Sequence, residues 1–459
     1  MSSGPLTQLV AVGAQDSNFL SNDPNDSIFK ESNSKKTNFV KATTSIRPQG
    51  KSAWGKTLKF KILKEGDLLN SIYFVAKLPA ISNANLTANH RVKWGDYVGN
   101  LLIENIKLYI GGQLIDEQSG DFIQIYTDMY DDDGNKMNLI GMDGHMNTPQ
   151  VSHDSTHVYV PLKFWFCESL SKSLPIIALQ YHDIEIEVKL RNWKDCVQAL
   201  FFQDDNDLSP GPLFYNDTEN SADSFLQPLG EVRLDCNYIY LTSEERKKIA
   251  QEEHKILITQ TQKIKHSMSQ SNRIELNFNH PVKEIYFYIR DDSLANRDSE
   301  LFNFSNKPKY MTKDNYDKII TNDGKKIADW NNLSKDHYLD AAEILINGHV
   351  RAEKRDYKYF HYLQNYEYFK TGLEHYIYLY SFSGNPRSGS PVGSLNFSRV
   401  DNAQLKIDIN NKAITNAQSR VNDTIKSSID KNNLICCVFA VNYNYLVIKN
   451  GMAGLMYNN

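Results

Sequence analysis

The chain has 459 residues, of which 41% are hydrophobic and 23% charged, enough to bury large cores without disulfides or metals and unlike a disordered chain. A formal net charge of −4 excludes the basic footprint of a protein that coats nucleic acid through its phosphates. The basic cluster Lys30–Lys36 reads as a solvated loop. The length suits two β domains of about 200 to 250 residues each as well as three average ones.

The N-terminal sequence MSSGPLTQLVAVGAQD shows no cationic start followed by a long apolar stretch. No other segment approaches 18 apolar residues, so the chain reads as soluble and made in the cytosol. Tyr (26) and Phe (21) cluster with β-branched residues in short runs, as half-buried strands require. In chain order the strand-like runs are Thr57–Ile62, Leu68–Leu78, Leu101–Ile110, Val158–Phe166, Ile184–Leu190 and Glu231–Leu241. They continue with Ile256–Gln262, Arg273–Phe278, Glu284–Arg290, Ile344–Ile346, Ile377–Phe382, Ala403–Ile409, Leu434–Val441 and Tyr443–Ile448. Residues 131–157, 202–225 and 291–340 are too long and polar for hairpins and read as surface excursions. Thr242–His254 breaks the pattern: capping residues, an acidic first turn and good helix formers predict a short helix between two domains.

The two halves echo each other in order. Ser71–Lys77 answers to Glu284–Arg290, Leu108–Gln113 to Ile344–His349, and the unit Val158–Leu190 to Ile377–Ile409. These echoes imply one β-sandwich unit used twice, and a jelly roll is the leading architecture because its two packed sheets leave few exposed edges. The predicted fold is all-β, two tandem eight-stranded antiparallel jelly rolls with a linker helix and an N-terminal arm. The corresponding domains are an arm over 1–24, jelly rolls over 25–242 and 254–459, and the linker over 243–253.

Candidate chemistry is sparse. Two-domain cupin enzymes would need a His-x-His pair, and none occurs here. His153 and His157 stand four apart in a stretch entering a strand, where that spacing does not place both on one face. Cys167, Cys196, Cys236, Cys436 and Cys437 are odd in number and scattered, and they read as reduced core residues. The adjacent Cys436 and Cys437 should point to opposite faces of a strand. Gly111–Gly112 reads as a tight hairpin turn, and 383–393 as a flexible connector lacking the ending of a nucleotide-binding loop. No catalytic, cofactor-binding or metal residue is assigned, and no cofactor. Asn25, Asn85, Asn216, Asn303, Asn332, Asn396 and Asn422 match the glycosylation sequon, mostly as chance matches in an Asn-rich chain.

Against that background the stretch Leu6–Asp16, LTQLVAVGAQD, resembles the opening of major capsid proteins of nucleocytoplasmic large DNA viruses, the chlorella viruses above all. Matching runs continue in the family's order. The first half carries Thr37–Phe39, Gly66–Leu68, Ile110–Asp116, Val160–Leu162 with Phe164 and Phe166, Leu174–His182, and Leu241-Thr242 with Glu245-Arg246. The second carries Leu276–Pro281, Tyr378–Phe382, Asn396–Asn402, Asn442–Asn444 and Gly451–Leu455. Residues 17–36 depart from the family's run at that place. The resemblance implies two eight-stranded jelly rolls and a structural, non-enzymatic protein. It implies homotrimers that pack against neighbouring capsomers as pseudo-hexagonal tiles of an icosahedral shell. Minor capsid and penton proteins and an inner viral membrane would lie nearby, with no sequence-specific nucleic-acid contact. The place implied is the virion, after assembly in the host cytoplasm. The rival readings are a carbohydrate-binding attachment protein, a minor capsid protein of the same virus, and a bicupin-like enzyme.

Overall fold

A computed structural model of the chain describes residues 10–11, 36–82, 90–143, 152–202, 208–209, 228–269, 271–292, 301–305, 337–373, 375–419 and 433–457. All of the expected arm over 1–24 except residues 10–11, and most of 17–36, 202–225 and 291–340, lie outside the described residues.

Among the described residues sixteen strands recur as two equivalent sets of eight, and the short strands Leu174–Pro175, Leu395–Asn396 and Met452–Leu455 add to the larger sheets. The first holds β1 (Phe39–Ile46), β2 (Thr57–Lys61), β3 (Leu68–Leu78), β4 (Ile103–Ile110), β5 (Gln113–Ser119), β6 (Thr156–Pro161), β7 (Ile184–Leu190) and β8 (Val232–Leu241). The second holds β9 (His254–Ser267), β10 (Arg273–Glu275), β11 (Pro281–Asp291), β12 (Leu339–Ile346), β13 (His349–Asp356), β14 (Tyr378–Ser381), β15 (Ala403–Ile409) and β16 (Leu434–Lys449). In the first barrel the sheets run β1-β8-β3-β6 and β2-β7-β4-β5; in the second they run β9-β16-β11-β14 and β10-β15-β12-β13. Adding eight to each label of the first barrel reproduces the second. This is the jelly-roll order twice, with antiparallel pairing at the sheet centres.

Alternation dictates these strands. In β7, IEIEVKL, Ile184, Ile186, Val188 and Leu190 point inward while the residues between them face outward. Outward Glu187 stands opposite Lys59 of β2 and pairs with it at 2.6 Å. The β4–β5 turn uses Gly111 and Gly112 at φ 59° and 79°, and its counterpart between β12 and β13 uses Asn347 and Gly348 at 50° and 77°. Both residues of each turn sit in the left-handed region that two-residue hairpins favour. The order of the internal echoes read from sequence is therefore the order of equivalent strands.

Among the helices, α1 (Gly120–Tyr130) succeeds β5, α2 (Ser243–Gln251) lies between the barrels in sequence, and α3 succeeds β13. The last is a π-helical turn, Tyr359–Leu363, that continues as Gln364–Tyr368. The short helix predicted from Thr242 is present as α2, although the Thr242 side chain makes no capping bond. Arg246 of α2 instead reaches Asp67 at 3.0 Å.

Several expectations are corrected. The run Leu101–Ile110 begins as the end of a short helix, Val98–Leu102, and the run from Val158 stops at Pro161 before a turn of 3-10 helix, Trp165–Cys167. The segment 131–157 includes a helix, Asp133–Asp143, whose Lys136 bonds the Gly372 carbonyl at 2.6 Å. Within 291–340, the described part Leu301–Ser305 is not a surface excursion, because Leu301, Phe302 and Phe304 are buried.

Candidate functional site

The second barrel has its own interior, built from Ile285, Phe287, Ile289, Ile344, Leu405, Val438 and Ala440. The other side of the same sheet, with Tyr286, Tyr288, Cys437 and Phe439, belongs to the hydrophobic cluster of the first barrel. Sheet pleating separates the two sets, so Cys436 faces the barrel interior and its neighbour Cys437 the seam, on opposite faces as expected.

Helix α1 is the wedge. Ser119 Oγ accepts from Phe122 N at 3.4 Å, and Asp121 sits in the first turn, so the helix starts on a cap and an acid suited to its dipole. Gly120 has no room for a side chain, since a Cβ would fall 2.3 Å from the carbonyl oxygens of Asn100 and Ile103. Gly120 through Met129 are all buried. The Phe122 ring meets Phe439 at 5.8 Å, Tyr126 stacks on Tyr130 at 4.2 Å, and Tyr130 meets Phe369 edge-on at 5.2 Å.

Charges buried in this seam are paired, as low dielectric requires. Asp121 accepts from Arg191 at 3.0 Å, from Lys263 at 3.0 Å and from the Tyr288 hydroxyl at 3.0 Å. Burial pushes its carboxyl up, but Lys263, Arg191 and Arg290 together outweigh burial and hold it well below the usual carboxylate range. Asp128 accepts from the His375 ring at 2.7 Å and from its backbone N–H at 3.1 Å; burial raises this carboxyl, and His375 and Lys136 bring it below its ordinary value. The Tyr130 hydroxyl donates to Glu284 and accepts from Lys283 at 2.7 Å, and Lys283 also reaches the Pro386 carbonyl at 3.1 Å. Arg387 ties the Phe369 carbonyl to the Tyr130 carbonyl, so the 383–393 connector is a strap across the seam, not a free loop. At the far side Asp116 of β5 accepts from Thr261 N of β9 at 2.8 Å and from Gln118 at 2.9 Å. Burial pushes the Asp116 carboxyl up to about 7 despite those two donors. A cleft of about 460 Å³ opens between the barrels, bordered by Ser71, Tyr73, Tyr126, Tyr130 and Tyr443.

Among the described residues, none of those weighed for chemistry converges on a reaction centre, and Asn25, Asn85, Asn216, Asn332 and Asn422 lie outside them. His153 bonds the Val92 carbonyl at 3.0 Å, and all five cysteines are free thiols, with burial pushing Cys167 up to about 12. Among the described residues no group of three or more His, Cys, Asp or Glu side chains is placed to hold a metal. Sequence reasoning missed the seam because its charges are scattered along the chain. Its one local signal is the helical spacing of Phe122, Ile123, Tyr126 and Met129 behind Ser119.

Residues 27–242 match the family described as major capsid protein N-terminus, and residues 245–454 match the large eukaryotic DNA virus major capsid protein family. The chain is 27% identical to the major capsid protein of Phaeocystis pouchetii virus and 29% identical to that of Paramecium bursaria Chlorella virus 1. Both alignments cover 99% of this chain and all of the relative. Its fold superposes on the subunit of the PBCV-1 virus capsid with a TM-score of 0.72 at 25% identity, over 94% of this chain and all of that one. The Faustovirus major capsid protein shares the fold, at a TM-score of 0.66 and 13% identity over 93% of each chain. With both halves matched in order and the relatives structural proteins of virus shells, the chain belongs to the major capsid proteins of large eukaryotic DNA viruses and is a structural capsid protein, not an enzyme.

Proposed function

We propose that three copies of this chain form a homotrimeric capsomer of pseudo-hexagonal outline, and that such capsomers tile an icosahedral shell. The supporting observation is the seam: two barrels of identical strand order are held side by side by a buried helix and a paired charge network. Three such two-barrel blocks about a threefold axis make six similar units in a ring, and a nearly six-sided tile packs edge to edge on a flat facet. Capsomers would meet neighbouring capsomers along these edges and penton and minor capsid proteins elsewhere. The reading divides the chain into an arm over 1–24, jelly rolls over 25–242 and 254–459, and a linker over 243–253. In this reading the arm lies inside the shell, toward an inner membrane, after assembly in the host cytoplasm.

Light scattering of the purified protein tests the trimer. With 52.7 kDa per chain, a species near three chain masses that images as hexagons is the expected result. A monomer that neither associates with concentration nor forms arrays would overturn the trimer.

A further inference from the structure

Each barrel carries a helix at the same point, directly after the strand that succeeds its two-residue turn: α1 after β5 and α3 after β13. The two helices meet opposite fates. α1 is buried along its length against the outer face of β11 and β16, whereas α3 buries only Phe360, His361 and Gln364 and exposes Tyr362, Leu363 and Tyr366 by 41, 50 and 78%. Gly111 and Asn347, which open the preceding turns, are 236 residues apart. At that offset Tyr126 and Tyr130, the stacked rings of the seam, fall on Tyr362 and Tyr366.

The sheet that receives α1 also has a counterpart. Ser71 and Tyr73 of β3 stand where Glu284 and Tyr286 stand in β11, 213 residues on. Glu284 and Tyr286 are fully buried. Ser71 and Tyr73, with Tyr159, Arg233 and Asp235 on the same outer face, are only half-buried, Val75 between Tyr159 and Arg233 is covered by its neighbours, and Ser71 and Tyr73 border the cleft between the barrels. An exposed aromatic helix face and a half-exposed sheet face, each the equivalent of a buried one, are the two sides of a single kind of contact.

We infer that α3 of one copy seats on the outer face of β3 and β8 in the first barrel of the next copy, repeating between chains the seam that α1 makes within one. The inference rests on the trimer proposed above and names the surface that closes it. In a ring of six similar barrels, the step from first to second barrel and the step from second to next first barrel are nearly the same rotation. Tyrosine suits the task, because its ring buries area while its hydroxyl can bond a polar floor such as Ser71, Arg233 and Asp235. The contact between chains is more polar than the seam, as fits a chain whose face is wet before it meets its partner.

Two variants test this, with the full chain as the starting material. Tyr362→Glu/Tyr366→Glu should keep its far-UV circular dichroism, both residues being exposed in one chain, and raise the trimer's dissociation constant at least about 30-fold by light scattering. Ser71→Cys/Tyr366→Cys should give chains linked across subunits on a non-reducing gel, which neither single cysteine variant gives. A wild-type trimer whose glutamate variant dissociates no more readily, and whose cysteine pair does not link, would overturn the seat and leave the trimer standing. A wild-type chain that stays monomeric would overturn both.

Discussion

The outer faces of the two large sheets, β9-β16-β11-β14 and β1-β8-β3-β6, have the same strand order and opposite chemistry. On the second barrel the face is Glu284, Tyr286, Tyr288, Cys437 and Phe439, all essentially inaccessible beneath α1. On the first it is a lateral hydrogen-bond ladder. Thr43 donates to Asn237 at 2.6 Å, Asn237 to Ser71 at 2.6 Å, Ser45 to Asp235 at 2.6 Å and Arg233 to Asp235 at 3.0 Å. Topology therefore says where a sheet lies and leaves open what covers it. Side chains decide that: aromatic area where the cover is always present, and self-satisfied polar groups where the face must also live in water.

The strongest way to break this comparison is to unbalance the seam. Asp121→Asn would leave Arg191, Lys263 and Arg290 facing one another with their shared carboxylate gone. Removing one partner from a buried charge cluster costs about 3–5 kcal/mol, because the remaining charges stay desolvated. A fall of that size in unfolding free energy from urea titration is expected. A cost under about 1 kcal/mol would mean the seam is as wet as an exposed ion pair.

How much of the molecule was legible in its sequence depends on where the information sits. Strands such as β7 announce themselves by strict alternation, and the duplication shows in the turns at Gly111-Gly112 and Asn347-Gly348, because both signals are local. Collinear runs from Leu6 to Leu455 carried the family resemblance, and with it the double jelly roll. α1 was not read, since Phe, Ile, Tyr and Thr dominate GDFIQIYTDMY and favour strands in isolation. Its helix is enforced by a Ser119 cap and by burial against residues such as Phe439, more than 300 positions away. The Asp121 cluster draws its cations from β11, β9 and the residue after β7, a meeting that no spacing rule encodes. Phe302 and Phe304 were hidden inside a long polar stretch that otherwise reads as surface.

pH sharpens the comparison by sign. Asp121 and Asp128 have depressed pKa values, so their stabilisation is present above the unfolded carboxylate range near 4 and is lost as pH falls through their folded values. Asp116 runs the other way. With its pKa raised to about 7, the folded chain holds a proton the unfolded chain releases, and this group erodes stability as pH rises from about 4 to 7. Buried His361, held below its ordinary value chiefly by burial, costs stability as pH falls below about 6.5, opposite in sign to Asp116 over part of the same window. Comparing Asp116→Asn with wild type isolates the carboxyl. The variant should gain stability relative to wild type as pH rises from 4 to 7 and keep the acid loss below 4, read by thermal melts at constant ionic strength. A difference that is flat with pH would mean that Asp116 is charged and solvated.

The smallest effect expected is the most diagnostic of the first barrel's face. Asp235 joins Ser45 and Arg233 but keeps 16% of its side chain exposed, and Arg233 keeps 21%. Burial and the Asp235 carboxylate act on Arg233 in opposite directions, and the carboxylate prevails, raising its pKa. Solvent screening limits what such a pair contributes, so Asp235→Asn should cost about 0–1 kcal/mol in the isolated chain by the same urea titration. Asn keeps the acceptor that Ser45 needs and loses only the charge. A cost approaching that of Asp121→Asn would show that this face is already sealed within one chain, and the contrast between the two sheets would then be one of composition alone.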